Sequence, residues 1–261
     1  MKLSQMYLHD VGIVRKYNDE KYKLVQMGTL RQKGFEDDRK HTAKGEAGND
    51  GKLEDNISRA KQTIFELAYC NPWEWFVTLT LNPDKYNRYD LEKYIKDLSQ
   101  FVRDYRKKSG NDLKYLLVPE THIKGGWHLH GFFLNLPESE LSRFTMLDRL
   151  PLKIRKKIDK GQALYTWNAY QNKFGYACIE RVRNHEAVSK YMTKYITEDV
   201  MKTITELNAH TFYASKGLKR SVVVATDLMK RPIERPDYQN EHCAVKWFDD
   251  LEKPLDYIFT E

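Results

Sequence analysis

Cysteine is scarce in this chain of 261 residues: Cys70, Cys178 and Cys243 are odd in number and far apart. That excludes a disulfide framework and a paired-cysteine zinc site, and leaves reduced, buried thiols as the expectation. Long apolar runs are missing as well. No stretch approaches the length a membrane span needs, and the opening "MKLSQMYLHDVGIVRKYNDEK" meets charge too early for a secretory signal. A cytoplasmic protein with no membrane partner is therefore expected. A phosphate-binding loop is also lacking, although "GEAGNDGKL" imitates one. Gly45 and Gly51 enclose five residues where that motif has four, and Leu53 stands where a Ser or Thr reaches magnesium. Neither a nucleotide-hydrolysing motor nor an internal repeat is read in the chain.

What is present suits a folded domain. With 41% hydrophobic and 31% charged residues, the chain can bury a core and is too apolar to be disordered. Its length fits one domain with extensions or two small domains. The formal net charge of +7 favours a polyanionic partner. The basic residues are clustered in "RDYRKK" (103–108), "KIRKKIDK" (153–160) and "SKGLKR" (215–220), which read either as solvated faces or as phosphate contacts.

Residues 5–32 can hold two short strands, and 33–54 are polar with no apolar period, which predicts a flexible loop. "NISRAKQTIFELAYC" (56–70) has helical spacing and stops at Asn71-Pro72. "WEWFVTLTLN" (73–82) reads as a strand, and 89–108 as an amphipathic helix with Leu91, Tyr94, Ile95, Leu98, Phe101, Val102 and Tyr105 on one side. "LKYLLVPETHI" and "WHLHGFFLNL" predict a hairpin turning at Lys124-Gly125-Gly126. An insertion over 138–172 holds helical pieces. A strand over 175–182, a helix over 185–200 and a last strand over 219–228 follow. This order suits an α+β fold, a central antiparallel sheet of about five strands with helices packed on it.

The hairpin concentrates polar chemistry. Side chains two apart on a strand share a face, so Glu120 pairs with His122, and His128 with His130. A three-residue loop puts His122 opposite His128 and Glu120 opposite His130, all on one face, with Gly126 as the left-handed loop residue. A two-residue loop puts the two pairs on opposite faces. Two imidazoles and a carboxylate suit Mg²⁺ or Mn²⁺, and their chemistry also admits zinc. The helix "SKYMTKYITE" sets Tyr191, Lys194 and Tyr195 along one side. There a tyrosine either packs in the core or attacks a phosphodiester with help from a cation.

Taken in order, "FVTLTLN", "HLHGFF" and "YMTKY" resemble the three motifs of the HUH endonucleases, and more narrowly the rolling-circle replication initiators of bacterial plasmids and single-stranded DNA phages. The resemblance runs from about residue 56 to about residue 220. It implies an RRM/ferredoxin-like sheet and assigns Thr78, Thr80 and Asn82 to the first motif. His128 and His130 become metal ligands, with Glu120, eight residues upstream of His128, as the third. Tyr191 becomes the primary nucleophile, with Lys194 completing its Y-x-x-K. Tyr195 is a candidate second nucleophile, although Glu198 stands where a matching lysine is expected.

Contacts to DNA are expected from Thr78, Thr80, Asn82, His122, Lys124, Lys216, Lys219 and Arg220. The implied activity is metal-dependent nicking at an origin, with Mg²⁺ or Mn²⁺ as cofactor and single-stranded or origin DNA as substrate. A host helicase and DNA polymerase are the implied partners, in the cytoplasm of a bacterial host. The corresponding organisation is an N-terminal extension (1–55), an endonuclease domain (56–230) and a C-terminal tail (231–261). A relaxase or transposase of the same chemistry, and a non-catalytic nucleic-acid-binding module, are the alternatives.

Overall fold

The computed structural model describes residues 7–31, 50–121, 125–148, 150–184 and 210–259. Residues 1–46 and 219–261 form one compact unit, and residues 47–218 form another. The first unit begins with β1 (Tyr7–Asn18) and β2 (Lys21–Arg31), an antiparallel hairpin. Asn18 shapes its turn, with Oδ1 accepting the Glu20 N–H at 3.0 Å.

The second unit follows as α1 (Asp50–Tyr69), β3 (Trp75–Leu81), α2 (Leu91–Ser109), β4 (Lys114–Thr121) and β5 (Trp127–Leu134). It continues through β6 (Leu141–Arg143), α3 (Leu152–Asp159), β7 (Leu164–Trp167), α4 (Asn168–Lys173), β8 (Gly175–Arg181) and β9 (Tyr213–Ala214). Its strands form one sheet in the order β6-β7-β8-β3-β5-β4-β9, with every neighbouring pair antiparallel. The chain then returns to the first unit with β10 (Val222–Leu228), β11 (Tyr238–Gln239) and β12 (Cys243–Phe248), giving the order β10-β1-β2-β12-β11.

The expected α+β class with antiparallel sheets is therefore the observed one, and its strand membership differs. β10, expected as the last strand of the endonuclease domain, pairs with β1 instead, from Val11 opposite Leu228 to Lys16 opposite Val222. The segments expected as an extension and a tail thus share a sheet. β6, β7 and β9 bring the other sheet to seven strands. They are too short, at two to four residues, to display an alternating pattern.

Local chemistry fixes the helices that flank this sheet. α2 starts at Asp90, whose carboxylate accepts the Lys93 N–H at 2.9 Å. It ends at Gly110, left-handed at φ 73, with Arg106, Lys107 and Lys108 beside its last carbonyls. Its Tyr94, Leu98 and Val102 are buried against Val77, Leu79, Leu129 and Phe133 on one face of the sheet. Full burial of such aliphatic side chains contributes about 1.5–3 kcal/mol each. On that side Tyr94 and Tyr170 also satisfy each other, oxygen to oxygen at 2.5 Å, and burial raises both hydroxyl pKa values.

α1 covers part of the opposite face, where Ile64, Leu67 and Ala68 meet Leu116, Val118 and Phe132. Its end is closed by Asn71 Nδ2 and Trp73 Nε1, which both donate to the Leu67 carbonyl. Farther along the same face the apolar residues give way to Thr78, Thr80, His128, His130 and Glu120. Among the described residues no helix is long and apolar enough to cross a membrane.

β4 and β5 approach closely at Gly131, where a Cβ would lie 1.9 Å from the Leu116 carbonyl oxygen and 2.9 Å from Leu117 Cα. Backbone cannot yield there as a flexible side chain can. Gly131→Ala is expected to cost at least about 2 kcal/mol and to lower the melting temperature by roughly 5 °C or more. A melting curve coincident with wild type would show that the strands separate without penalty.

Candidate active site

The register of four adjacent strands builds the site. Reading across β8, β3, β5 and β4, one row holds Tyr176, Thr80, His128 and Glu120, and the next holds Cys178, Thr78, His130 and Val118. Directly opposed residues share a face, so these side chains all stand on the same side of the sheet. The hairpin is not the three-residue loop expected. Thr121 opposes Trp127 and Glu120 opposes His128, so residues 122–126 form the connection, and the left-handed residue is Gly125, at φ 83, rather than Gly126. The register moves by two positions. Because side chains alternate with period two, Glu120, His128 and His130 still share one face.

Each histidine is gripped from the neighbouring strand. Thr80 Oγ1 lies 2.9 Å from His128 Nδ1, and Thr78 Oγ1 lies 3.1 Å from His130 Nδ1. The rings are nearly parallel, with 25° between their planes and 6.5 Å between centroids. His130 Nε2 donates to Glu120 Oε2 at 2.7 Å, a diagonal contact across the β4–β5 pair. A hydroxyl both donates and accepts, so each threonine supports either ring tautomer. When Nδ1–H donates to the threonine oxygen, the Nε2 lone pair is left for a cation.

These residues suit a divalent cation by the chemistry of the donor set. Two imidazoles and one carboxylate lie on one face, with both rings oriented at the nitrogen a cation would not use. The arrangement is open. Among the described residues no three His, Cys, Asp or Glu side chains stand close enough together to form a closed cage.

Beside His130 lies a cleft of about 630 Å³ between the sheet and α3, lined among others by Phe76, Cys178, Lys153, Lys157 and Arg183. The basic run at 153–160 was visible in the sequence, but its place beside the histidines was not. Lys157 is tied to both carboxylate oxygens of Glu180, at 3.0 and 3.2 Å. Burial pushes the Cys178 thiol up to about 11, Glu180 adds to the rise, and Lys157 partly opposes it. The thiol is therefore protonated at neutral pH and is no nucleophile.

Other expected residues are placed differently. Asn82 ends β3, and its Oδ1 accepts the Asp84 N–H at 3.0 Å in a tight turn. Lys216 is exposed just after β9, next to Ser215, whose hydroxyl accepts from Tyr115 N–H and Arg106. Lys219 and Arg220 fall in the other unit. His122, Lys124, Tyr191, Lys194 and Tyr195 lie outside the described residues. Tyr176 was not anticipated: only the pairing of β8 with β3 reveals that it shares the histidine face.

Residues 74–200 match the family model described as Replication-associated protein ORF2. This is a family of rolling-circle replication initiators, and the match supports a replication-initiator type of protein that binds DNA. The matched stretch begins at β3 and contains both threonines, both histidines and Glu120. No curated protein and no solved structure matches the chain.

The threonine contacts set a measurable expectation. Thr78→Val and Thr80→Val remove the hydroxyls at nearly constant volume, and each is expected to weaken Mn²⁺ binding about 10–100-fold, read from the spin resonance of free Mn²⁺. Serine at either position should restore binding. Wild-type affinity in both valine variants would exclude this orienting role.

Proposed function

We propose that this protein initiates rolling-circle replication by nicking one DNA strand at an origin and later rejoining strands. The observation that carries this reading is the pair of threonine-held histidines with Glu120 on one sheet face, within the stretch that matches the replication-associated family. Glu120, His128 and His130 would hold Mg²⁺ or Mn²⁺, which supplies electrophilic polarisation of the scissile phosphate when bound. Thr78 and Thr80 keep both imidazoles turned for that task.

The nucleophile in this proposal is the Tyr191 hydroxyl. Its oxygen forms a bond to phosphorus while the bond to the 3′ oxygen breaks; the phenolic proton passes to solvent and the departing 3′ oxygen takes one up. Lys194, three residues on, contributes positive charge beside the reacting oxygens. The products are a 5′-phosphotyrosine link and a free 3′-hydroxyl able to prime synthesis. One phosphate ester replaces another, so no ATP is consumed. In the reverse step a 3′-hydroxyl attacks the phosphotyrosine, reseals a strand and frees the tyrosine, and Tyr195 is the residue suited to accept a second transfer. A host helicase would open the duplex, and a host polymerase would extend the 3′ end.

The test is trapping. The protein is incubated with a pool of single-stranded DNA and Mn²⁺, and denaturant-stable adducts are isolated and their DNA ends sequenced. Adducts are expected with wild type and absent with Tyr191→Phe, while His128→Ala and His130→Ala each lower the yield at least about 100-fold. Adduct persisting in Tyr191→Phe would move the attack to Tyr195. A folded wild type that binds DNA and forms no adduct would refute the nicking reaction.

A further inference from the structure

Tyr176 is 59% exposed, an uncommon state for a large aromatic in the middle of a sheet. It stands in the same row as Thr80 and His128, on the histidine face, two strands from His128. Strand spacing places it roughly 10 Å from that histidine, measured along the row. Its backbone is fixed. The preceding Gly175 has φ 153, and a Cβ there would lie 2.3 Å from Asn82 N and 2.5 Å from the Thr80 oxygen. β8 therefore starts with its backbone pressed against the end of β3, and Tyr176 projects from an anchored position. A rigid, exposed ring on an otherwise polar face offers a π surface of the kind on which an unpaired base stacks.

The cleft beside His130 supplies the complementary charge. Phe76 and Cys178 lie within it, and Lys153 and Arg183 are exposed at its rim. Two further cations there are occupied structurally: Lys157 holds Glu180, while Arg181 bonds Glu138 at 2.6 Å and covers the Trp75 ring at 4.5 Å. Lys153 and Arg183 are thus the residues placed to meet a passing phosphate.

We propose that Tyr176 is the stacking platform for one unpaired base of single-stranded DNA, and that Lys153 and Arg183 guide the backbone through the adjoining cleft. This rests on the proposed function, since the strand must run past the histidine pair to be cut there. Every base has a π-face, so the platform holds its base without selecting its identity.

The test is binding of a fluorescently labelled twelve-nucleotide dT strand, followed by anisotropy in EDTA so that nicking plays no part. Tyr176→Ala is expected to weaken binding about 10-fold, while Tyr176→Phe, which keeps the ring and loses only the hydroxyl, stays within about two-fold of wild type. Lys153→Glu with Arg183→Glu should weaken binding of all four homopolymers alike and flatten the salt dependence by a slope of about 2. Wild-type affinity in Tyr176→Ala, with its melting temperature unchanged, overturns the platform. Phenylalanine behaving like alanine overturns stacking in favour of the hydroxyl. The outcomes separate from those of the trapping assay. If Tyr176→Ala loses affinity while wild type never forms an adduct, the platform stands and nicking falls. If adducts form and Tyr176→Ala binds normally, only the platform falls.

Discussion

The antiparallel pairing of β3 with β5 is the constraint on which the site depends. It sets Thr78 against His130 and Thr80 against His128, so two neutral hydroxyls fix the orientation of two imidazoles. The same register sends Val77, Leu79, Leu129 and Phe133 to the other face, into the core beneath α2. One alternation therefore serves both purposes. A slip of one residue would bury the histidines and expose the core, and the burial of the apolar set resists that exchange.

Close backbone contacts hold this pairing in place from either side. At Gly131 β5 presses on β4, which brings Glu120 within reach of His130. At Gly175 β8 presses on the end of β3, which sets Tyr176 on the histidine face. Both glycines lie one position from a residue with a proposed role. Their missing side chains permit strand approaches that no other residue allows, and the polar face inherits its geometry from those approaches.

Much of the arrangement could be read from residue order. The apolar stripe of α2, the strand "FVTLTLN" and the shared face of Glu120, His128 and His130 follow from periods of 3.6 and 2, and the structure has them. The hairpin register could not be read, since loops of odd length give the same sidedness and only cross-strand pairing tells them apart. The partner of β10 was equally hidden, because pairing with β1 joins residues about two hundred positions apart and leaves no local signature. Tyr176 and Lys153 were visible as a strand tyrosine and a basic helix residue. What could not be seen was that β8 and α3 bring them beside the histidines. The threonines were recognised as a motif, whereas their grip on Nδ1 emerges only when β3 lies beside β5.

Whether the threonine-held histidines receive a divalent cation decides the proposed chemistry, and this can be observed directly on the folded protein. Substoichiometric Mn²⁺ broadens the ring-proton resonances of histidines near which it binds. His128 and His130 are predicted to broaden first and together, before the exposed His242 beside Glu241, and Glu120→Gln is predicted to shift the effect to higher Mn²⁺. Broadening that begins at His242, or that spares His128 and His130 throughout, would contradict a cation site on this face.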